Sequence, residues 1–172
     1  LQILINQIKH HETKELTDKY LSTYITTVDG NFQRQLASAL SYTKDETTLT
    51  HLLEEWKNKD VVKPQDLAMS WYFTFLQHDF TQGTVWTWAR DNWDWIKAAL
   101  GGDMSFDKFV IYPASTFKTH ERLAEYKAFF EPQLSDLAIS RNISMGIKEI
   151  SARIDLIDKE KAAVEAAIKA TV

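Results

Sequence analysis

The sequence predicts an all-α protein in which antiparallel helix pairs stack as an α-solenoid, like HEAT and armadillo repeats. Three observations support this fold class. Apolar residues recur at helical spacing along the whole chain, with no strand-like alternation. Only 5 glycines and 3 prolines occur in 172 residues, so long elements and short connections are expected. About nine or ten helices joined in this way fit a solenoid better than a four-helix bundle.

The first part of the chain predicts four helices. The first ends after Ile3, Ile5 and Ile8, the second covers about 12–28 before Asp29-Gly30, and the third covers 31–42. Thr43 and Glu46 have the spacing of a capping box, in which the two side chains satisfy free amides at the start of the next helix. That fourth helix carries an apolar face of Leu49, Leu52, Leu53 and Trp56.

The middle of the chain predicts three more helices. Pro64 suits the first turn of one, where its missing amide hydrogen costs nothing. A helix over 82–100 is expected to end at Gly101-Gly102. A shorter helix should begin after Ser105 and end near Pro113.

The last part of the chain is the most regular. Thr119 is expected to cap a helix that stops at Pro132, and Glu149 and Arg153 have the spacing of an ion pair within a helix. Asp158 is expected to cap a last short helix. One helix face carries five isoleucines at spacings of 4, 3, 4 and 3: Ile143, Ile147, Ile150, Ile154 and Ile157.

Composition excludes several functional classes. The net charge is −4 and the 20 basic residues are scattered, which argues against nucleic-acid partners. No apolar run reaches the ~20 residues of a membrane span, so no membrane association is expected. Without cysteine there is no disulfide, thiolate–zinc site or thiol nucleophile, and a cytoplasmic location fits. The chain starts at Leu1 without a signal peptide and with a helical pattern under way, which indicates a boundary inside a larger protein.

His10-His11-Glu12 resembles the start of a His-Glu-x-x-His zinc motif, but the second histidine is missing. His11 and Glu15 could share a helix face and offer two ligands, whereas a zinc site needs three or four. A solvated helix start is therefore the favoured interpretation, and no metal residue is assigned.

The tryptophan-rich segment has two interpretations. Trp86 and Trp93 are seven residues apart and share one helix face, and Trp88 and Trp95 form a second stripe. With nearby acidic residues Asp91 and Asp94 these rings could form a stacking platform, or even the site of an independent enzyme. Core packing on both sides of the helix is favoured, because large aromatic residues mostly stabilise cores.

No set of residues indicates catalysis. The adjacent pair Glu54-Glu55 diverges on a helix, no serine has the context of a nucleophile elbow, and no glycine-rich phosphate loop is present. The sequence therefore assigns no catalytic, cofactor-binding or metal residue, and no cofactor, to this chain.

A run of packing residues points to a known family. It comprises Trp86, Asn92-Trp93, Gly101-Gly102, Phe117, Thr119, Leu123, Glu125 and Phe129-Phe130, with Leu36, Ala39, Leu40, Lys44-Asp45, Val62 and Gln65-Asp66 upstream and the isoleucine face downstream. From Asn31 to its end the chain resembles the C-terminal helical domain of the aminopeptidase N family of zinc metallopeptidases.

The resemblance implies that residues 1–172 form one helical domain of a larger zinc aminopeptidase that releases N-terminal residues from peptides. In that family a separate catalytic domain holds the zinc, and the C-terminal domain is a bowl of helix pairs that caps the active site and gates access. The implied partners are the catalytic domain of the same polypeptide and peptide substrates. The alternative is a free-standing helical-repeat scaffold for protein–protein interaction, and the sequence encoded upstream of Leu1 distinguishes the two.

Overall fold

The computed structural model describes residues 1–171, which are helical and contain no strand. The prediction of an all-α protein is confirmed. Val172, the last residue of the expected domain, lies outside the described part. The ten helices of that part are α1 (Gln2–His11), α2 (Lys14–Thr26), α3 (Gly30–Leu40), α4 (Glu46–Glu55), α5 (64–76), α6 (Asp79–Asp91), α7 (Trp93–Leu100), α8 (Lys108–Thr116), α9 (His120–Phe130) and α10 (Ser140–Thr171).

The chain divides into two compact units, Leu1–Phe109 and a second that begins at Val110, with the boundary inside α8. Within each unit, helices adjacent in sequence pack on each other, as the solenoid prediction requires: α2 on α3, α5 on α6, and α9 on α10. The expectation of a single domain over 1–172 and the bowl shape implied by the family both stay predictions.

The core of the first unit is aromatic. Its fully buried side chains include Trp56, Trp71, Tyr72, Phe75 and Trp86. Trp71 stacks on Phe75, and Trp56 meets both rings edge-on. Large rings contribute more apolar burial per residue than any other side chain, so this cluster supplies much of the driving force that orders the surrounding helices.

α5 is the central helix of this core and contains an irregularity that periodicity did not reveal. It opens with Pro64 in its first turn, as predicted, and continues as an α-turn Pro64–Asp66, a π-helical stretch Leu67–Phe73 and a last α-turn Thr74–Leu76. A π-helix has more residues per turn than an α-helix. The five buried residues of the π stretch are Leu67, Ala68, Ser70, Trp71 and Tyr72.

The helix predicted over 82–100 is wrong as a single element. It begins earlier, at Asp79, and breaks at Asn92 into α6 and α7. The Asn92 backbone leaves the helical region (φ −109°, ψ 18°), and its side-chain amide donates to the Trp88 carbonyl oxygen over 2.7 Å. Asparagine favours such breaks because its side chain competes with the backbone for helical acceptors.

The capping box at the start of α4 is also wrong. Asp45 is the N-cap, and its carboxylate accepts from the Thr48 amide over 2.7 Å. The Thr43 hydroxyl instead donates to the Glu12 carboxylate, 31 residues away in sequence, while the Lys44 amide donates to the same carboxylate over 3.1 Å. Local spacing suggested the box, and a long-range partner displaced it.

The second unit is organised around α9 and α10. Thr119 caps α9 as predicted, accepting from the Arg122 amide over 3.2 Å. His120 at the start of α9 meets Asp158 of α10, while Tyr126 further along α9 faces Gly146, so the two helices run antiparallel. The isoleucine face of α10 is buried within this unit at Ile143, Ile150 and Ile154.

Two predicted helix ends in this region are wrong. Pro113 lies inside α8, which continues to Thr116. Asp158 caps no helix, because α10 continues without a break from Ser140 to Thr171. The segment after Asp158 is rich in alanine, glutamate and lysine, which have high helix propensity, so nothing in it ends the helix.

Candidate functional site

The His10-His11-Glu12 segment lies at the end of α1. Both histidines are exposed, and Glu12 is the first residue after the helix. Glu15 belongs to α2, which begins after the N-cap Thr13, so His11 and Glu15 lie on different helices and do not share a helix face. Glu12 is occupied by its hydrogen bonds to Thr43 and Lys44 and holds the start of α4 against the α1–α2 turn.

A concave surface of the first unit lies beside this contact, between α2 and α4. It has a volume of about 380 Å³. Its buried lining side chains are Thr17, Leu21 and Leu52, and its exposed ones include Lys14 and His51. The groove therefore has an apolar floor and a polar margin.

The charged groups of the groove are already engaged within the chain. Lys14 pairs with Asp18 over 2.5 Å on α2. The hydrogen bond from the Thr48 amide holds the pKa of Asp45 below its usual value, so this carboxylate is committed to its cap. The groove is therefore an apolar surface whose lysine and acidic side chains are engaged within the chain.

Ser41 and His78 are a pair that the sequence did not single out. Ser41 Oγ lies 3.1 Å from His78 Nε2, which is the distance expected of a nucleophile and its base. The Ser41 hydroxyl, however, is fully buried and donates to the Ser38 carbonyl oxygen over 2.8 Å. The hydroxyl is therefore engaged within the chain and not accessible to a substrate.

The His78 ring lies between two other aromatic rings. Tyr42 is 4.1 Å away between ring centroids and Phe80 is 5.3 Å away and parallel. Lys9 lies 4.2 Å above the Tyr42 ring. Burial, and secondarily the charge of Lys9, lower the pKa of His78, so the neutral ring is favoured in the folded chain.

The tryptophans pack as core residues. Trp86 is 1% exposed and Trp93 is 7% exposed, the latter in contact with Phe106. Trp88 and Trp95 are half-buried and meet edge-on, with ring centroids 6.2 Å apart. The favoured interpretation of core packing is confirmed for Trp86 and Trp93, and the stacking platform finds no support.

Within residues 1–171, no group of three or more His, Cys, Asp or Glu side chains is placed to hold a metal ion. The described helices also include none that is long and apolar enough to cross a membrane. The residues of this chain therefore do not fit the zinc that the family resemblance implies for the parent enzyme.

Comparison with known proteins assigns the chain to a family. Residues 2–152 match the family model of the ERAP1-like C-terminal domain. The aminopeptidase N of Lactococcus lactis subsp. lactis is 59% identical over 167 residues, which are 97% of this chain and 20% of that protein. The aminopeptidase N of Lactobacillus helveticus is 41% identical over 96% of this chain and 20% of that protein.

A more distant relative supports the same assignment. The endoplasmic reticulum aminopeptidase 2 of Bos taurus is 31% identical over 64% of this chain and 12% of that protein. The chain spans about a fifth of the length of its bacterial relatives. The match of the family model over most of the chain, together with these relatives, confirms the resemblance to the aminopeptidase N family, and the chain belongs to the ERAP1-like C-terminal domain family.

Proposed function

We propose that this chain is the non-catalytic C-terminal domain of a zinc metallo-aminopeptidase, which releases N-terminal residues from peptides. The observation that carries the proposal is the match to 97% of this chain but only 20% of an aminopeptidase N. Four fifths of that relative have no counterpart here, which leaves room for a catalytic domain in the same polypeptide.

The zinc belongs in that other part. Hydrolysis of a peptide at neutral pH needs an activated water and a stabilised oxyanion, which a zinc ion supplies when bound. This chain offers no ligand set within residues 1–171, and the Ser41 hydroxyl beside His78 is fully buried. The proposed role is therefore to cap the active site, to gate the entry of peptides and to pack on the catalytic domain.

The proposal places the parent enzyme in the cytoplasm, with peptides as substrates and without nucleic-acid or membrane partners. Support comes from the absence of cysteine and the net charge of −4. Cell fractionation tests the location: recovery of the enzyme outside the cytoplasmic fraction contradicts it.

The gating role is tested by kcat/KM for one aminoacyl reporter and for peptides of increasing length. The intact polypeptide is compared with a version truncated before Leu1. The reporter is short and should depend little on the cap, whereas longer peptides should change their relative rates when the cap is removed. The isolated chain should hydrolyse none of them.

Truncation also exposes the surface on which this domain packs, so the folded fraction of the truncated enzyme is measured by circular dichroism alongside the kinetics. An unchanged dependence on peptide length in a folded, truncated enzyme contradicts gating and leaves only a packing role. Hydrolysis of the reporter by the isolated chain contradicts the non-catalytic assignment.

A further inference from the structure

The second half of α10 extends beyond the helix that covers the first half. α9 begins at His120, whose Nε2 lies 3.1 Å from the Asp158 carboxylate, so residues after Asp158 pass the end of α9. Exposure rises along the isoleucine face, from 2% at Ile154 to 40% at Ile157 and 59% at Ile168. We call residues 159–170 the overhang; at ~1.5 Å per residue it is roughly 18 Å long.

The apolar repeat continues into the overhang, although α9 does not extend far enough to cover it there. After Ile154 and Ile157 the same face carries Lys161, Val164 and Ile168, at spacings of 3, 4, 3 and 4. This is the seam of a helix that packs against another helix. Val164 and Ile168 are 54% and 59% exposed, so the seam has no cover within the described chain.

The charges beside the seam argue against a second copy as the cover. Asp158 and Glu165 flank it on one side and Glu160 on the other. A parallel pair would oppose Lys161 to itself and Glu160 to Glu165. An antiparallel pair would oppose Asp158 to Glu165. Both arrangements place like charges together, which coiled coils avoid.

The size of the overhang favours a cover within the same polypeptide. Stable complexes between separate proteins bury at least about 1,200 Å², and one helix of three turns with two exposed apolar seam residues offers much less. A covalent link raises the effective concentration of the two surfaces to about the millimolar range, so a small contact can persist. The match to the Lactococcus lactis relative covers 97% of this chain, so most of the overhang recurs in a protein about five times as long.

We propose that the overhang docks on a basic, amphipathic helix in the part of the longer polypeptide that precedes this domain. Lysine or arginine residues of that helix pair with Glu160 and Glu165, and its apolar face covers Val164 and Ile168. This inference rests on the proposed function, because it requires the longer polypeptide of which this chain is the C-terminal domain. The match to the family model ends at residue 152, so the overhang lies beyond the matched range.

The test is amide hydrogen exchange over residues 159–170 in the full-length polypeptide. The seam variant is Val164→Asp with Ile168→Asp. The control is Ala166→Asp with Ala170→Asp, which adds the same charge at the same spacing on the opposite side of the helix. Exchange should be at least about tenfold slower in the wild type and the control than in the seam variant, which loses the cover.

Equal exchange in the wild type and the seam variant overturns the proposal. So does a dimer in sedimentation velocity that the seam variant abolishes, because the cover is then a second copy. Hydrolysis of an aminoacyl reporter is measured on the same wild-type sample. Slow exchange without hydrolysis refutes the proposed function alone, and hydrolysis with equal exchange refutes the docking alone.

Discussion

Replacement of Gly146 by alanine is the sharpest test of the packing between α9 and α10. A Cβ atom at this position would lie 2.9 Å from the Ala114 Cβ and 3.0 Å from the ring carbon Cζ of Tyr126, and closer still to the Tyr126 hydroxyl oxygen. Carbon atoms in a core normally meet at about 3.5–4.0 Å. Tyr126 cannot move freely, because it is fully buried and its hydroxyl donates to the Val110 carbonyl oxygen over 3.1 Å.

The expected magnitude follows from three contributions. Overpacking of a core costs about 1–3 kcal/mol. Displacement of the Tyr126 hydroxyl would leave a buried hydrogen-bonding group unsatisfied, which costs a further 1–3 kcal/mol, roughly. Alanine regains about 1 kcal/mol over glycine through its helix propensity. We therefore expect Gly146→Ala to lower the free energy of unfolding by about 3 kcal/mol.

Urea denaturation followed by circular dichroism measures the change. Gly30→Ala is the control, because a Cβ on Gly30 in α3 meets no atom within 4 Å and should leave stability unchanged or slightly raised. In the Gly146→Ala background, Tyr126→Phe removes the hydroxyl oxygen that lies closest to the new Cβ atom. The double variant should therefore lose less unfolding free energy than the sum of the two single losses. Stability unchanged by Gly146→Ala, or lowered equally by Gly30→Ala, would refute this account of the packing.

Three further predictions concern single side chains. Trp93→Ala should lower the free energy of unfolding by about 3–5 kcal/mol and markedly lower the melting temperature. Trp95 is only half-buried, so Trp95→Ala should cost less, and equal losses of unfolding free energy contradict the burial argument. Burial lowers the pKa of His78 below 6.5, so the stability from its neutral ring is present above pH 6.5 and is lost as the pH falls below it. His78→Gln should thus reduce the loss of unfolding free energy between about pH 7 and about pH 5, and exposed His10→Gln should not. Arg153 donates to the carbonyl oxygens of Ala114 and Phe117 over 2.8 and 2.6 Å, so Arg153→Met should cost about 2 kcal/mol by denaturation, and an unchanged midpoint would contradict that role.

Local signals in the sequence predicted local structure well. Pro64 in a first turn and Thr119 as an N-cap are where the pattern placed them. The Glu149–Arg153 ion pair is present at 2.7 Å. Each depends on residues within four positions of one another, so the sequence contains both partners of the interaction.

Predictions failed where a distant residue competes with a near one. Thr43 has the spacing of a capping box, yet it bonds to Glu12, and no local rule contains that partner. The break at Asn92 is different, because asparagine in a helix is a visible signal of competition for backbone acceptors. The regular spacing of Trp86 and Trp93 on either side of Asn92 nevertheless predicts one continuous helix.

The candidate site shows the same division. The missing ligands beside His10-His11-Glu12 could be recognised from the sequence, because metal chemistry needs particular residue types in sufficient number. The Ser41–His78 contact could not, because it joins the C-cap residue of α3 to the N-cap residue of α6, 37 positions later in the chain. The burial of Ser41 then argues against a catalytic role for this contact, since a fully enclosed hydroxyl cannot reach a substrate.

Helical periodicity identifies the apolar face of a helix but does not identify the element that packs against that face. The apolar repeat of α10 runs from Ile143 to Ile168, and it is buried at Ile154 and exposed from Ile157 onwards. Both parts have the same spacing, so the division depends only on where α9 begins. A domain that acts by docking and gating presents its functional residues in such uncovered stretches, where an apolar repeat persists after its partner helix has ended. Such a surface is found by comparing each apolar repeat with its burial, whereas a catalytic motif can be found in the sequence itself.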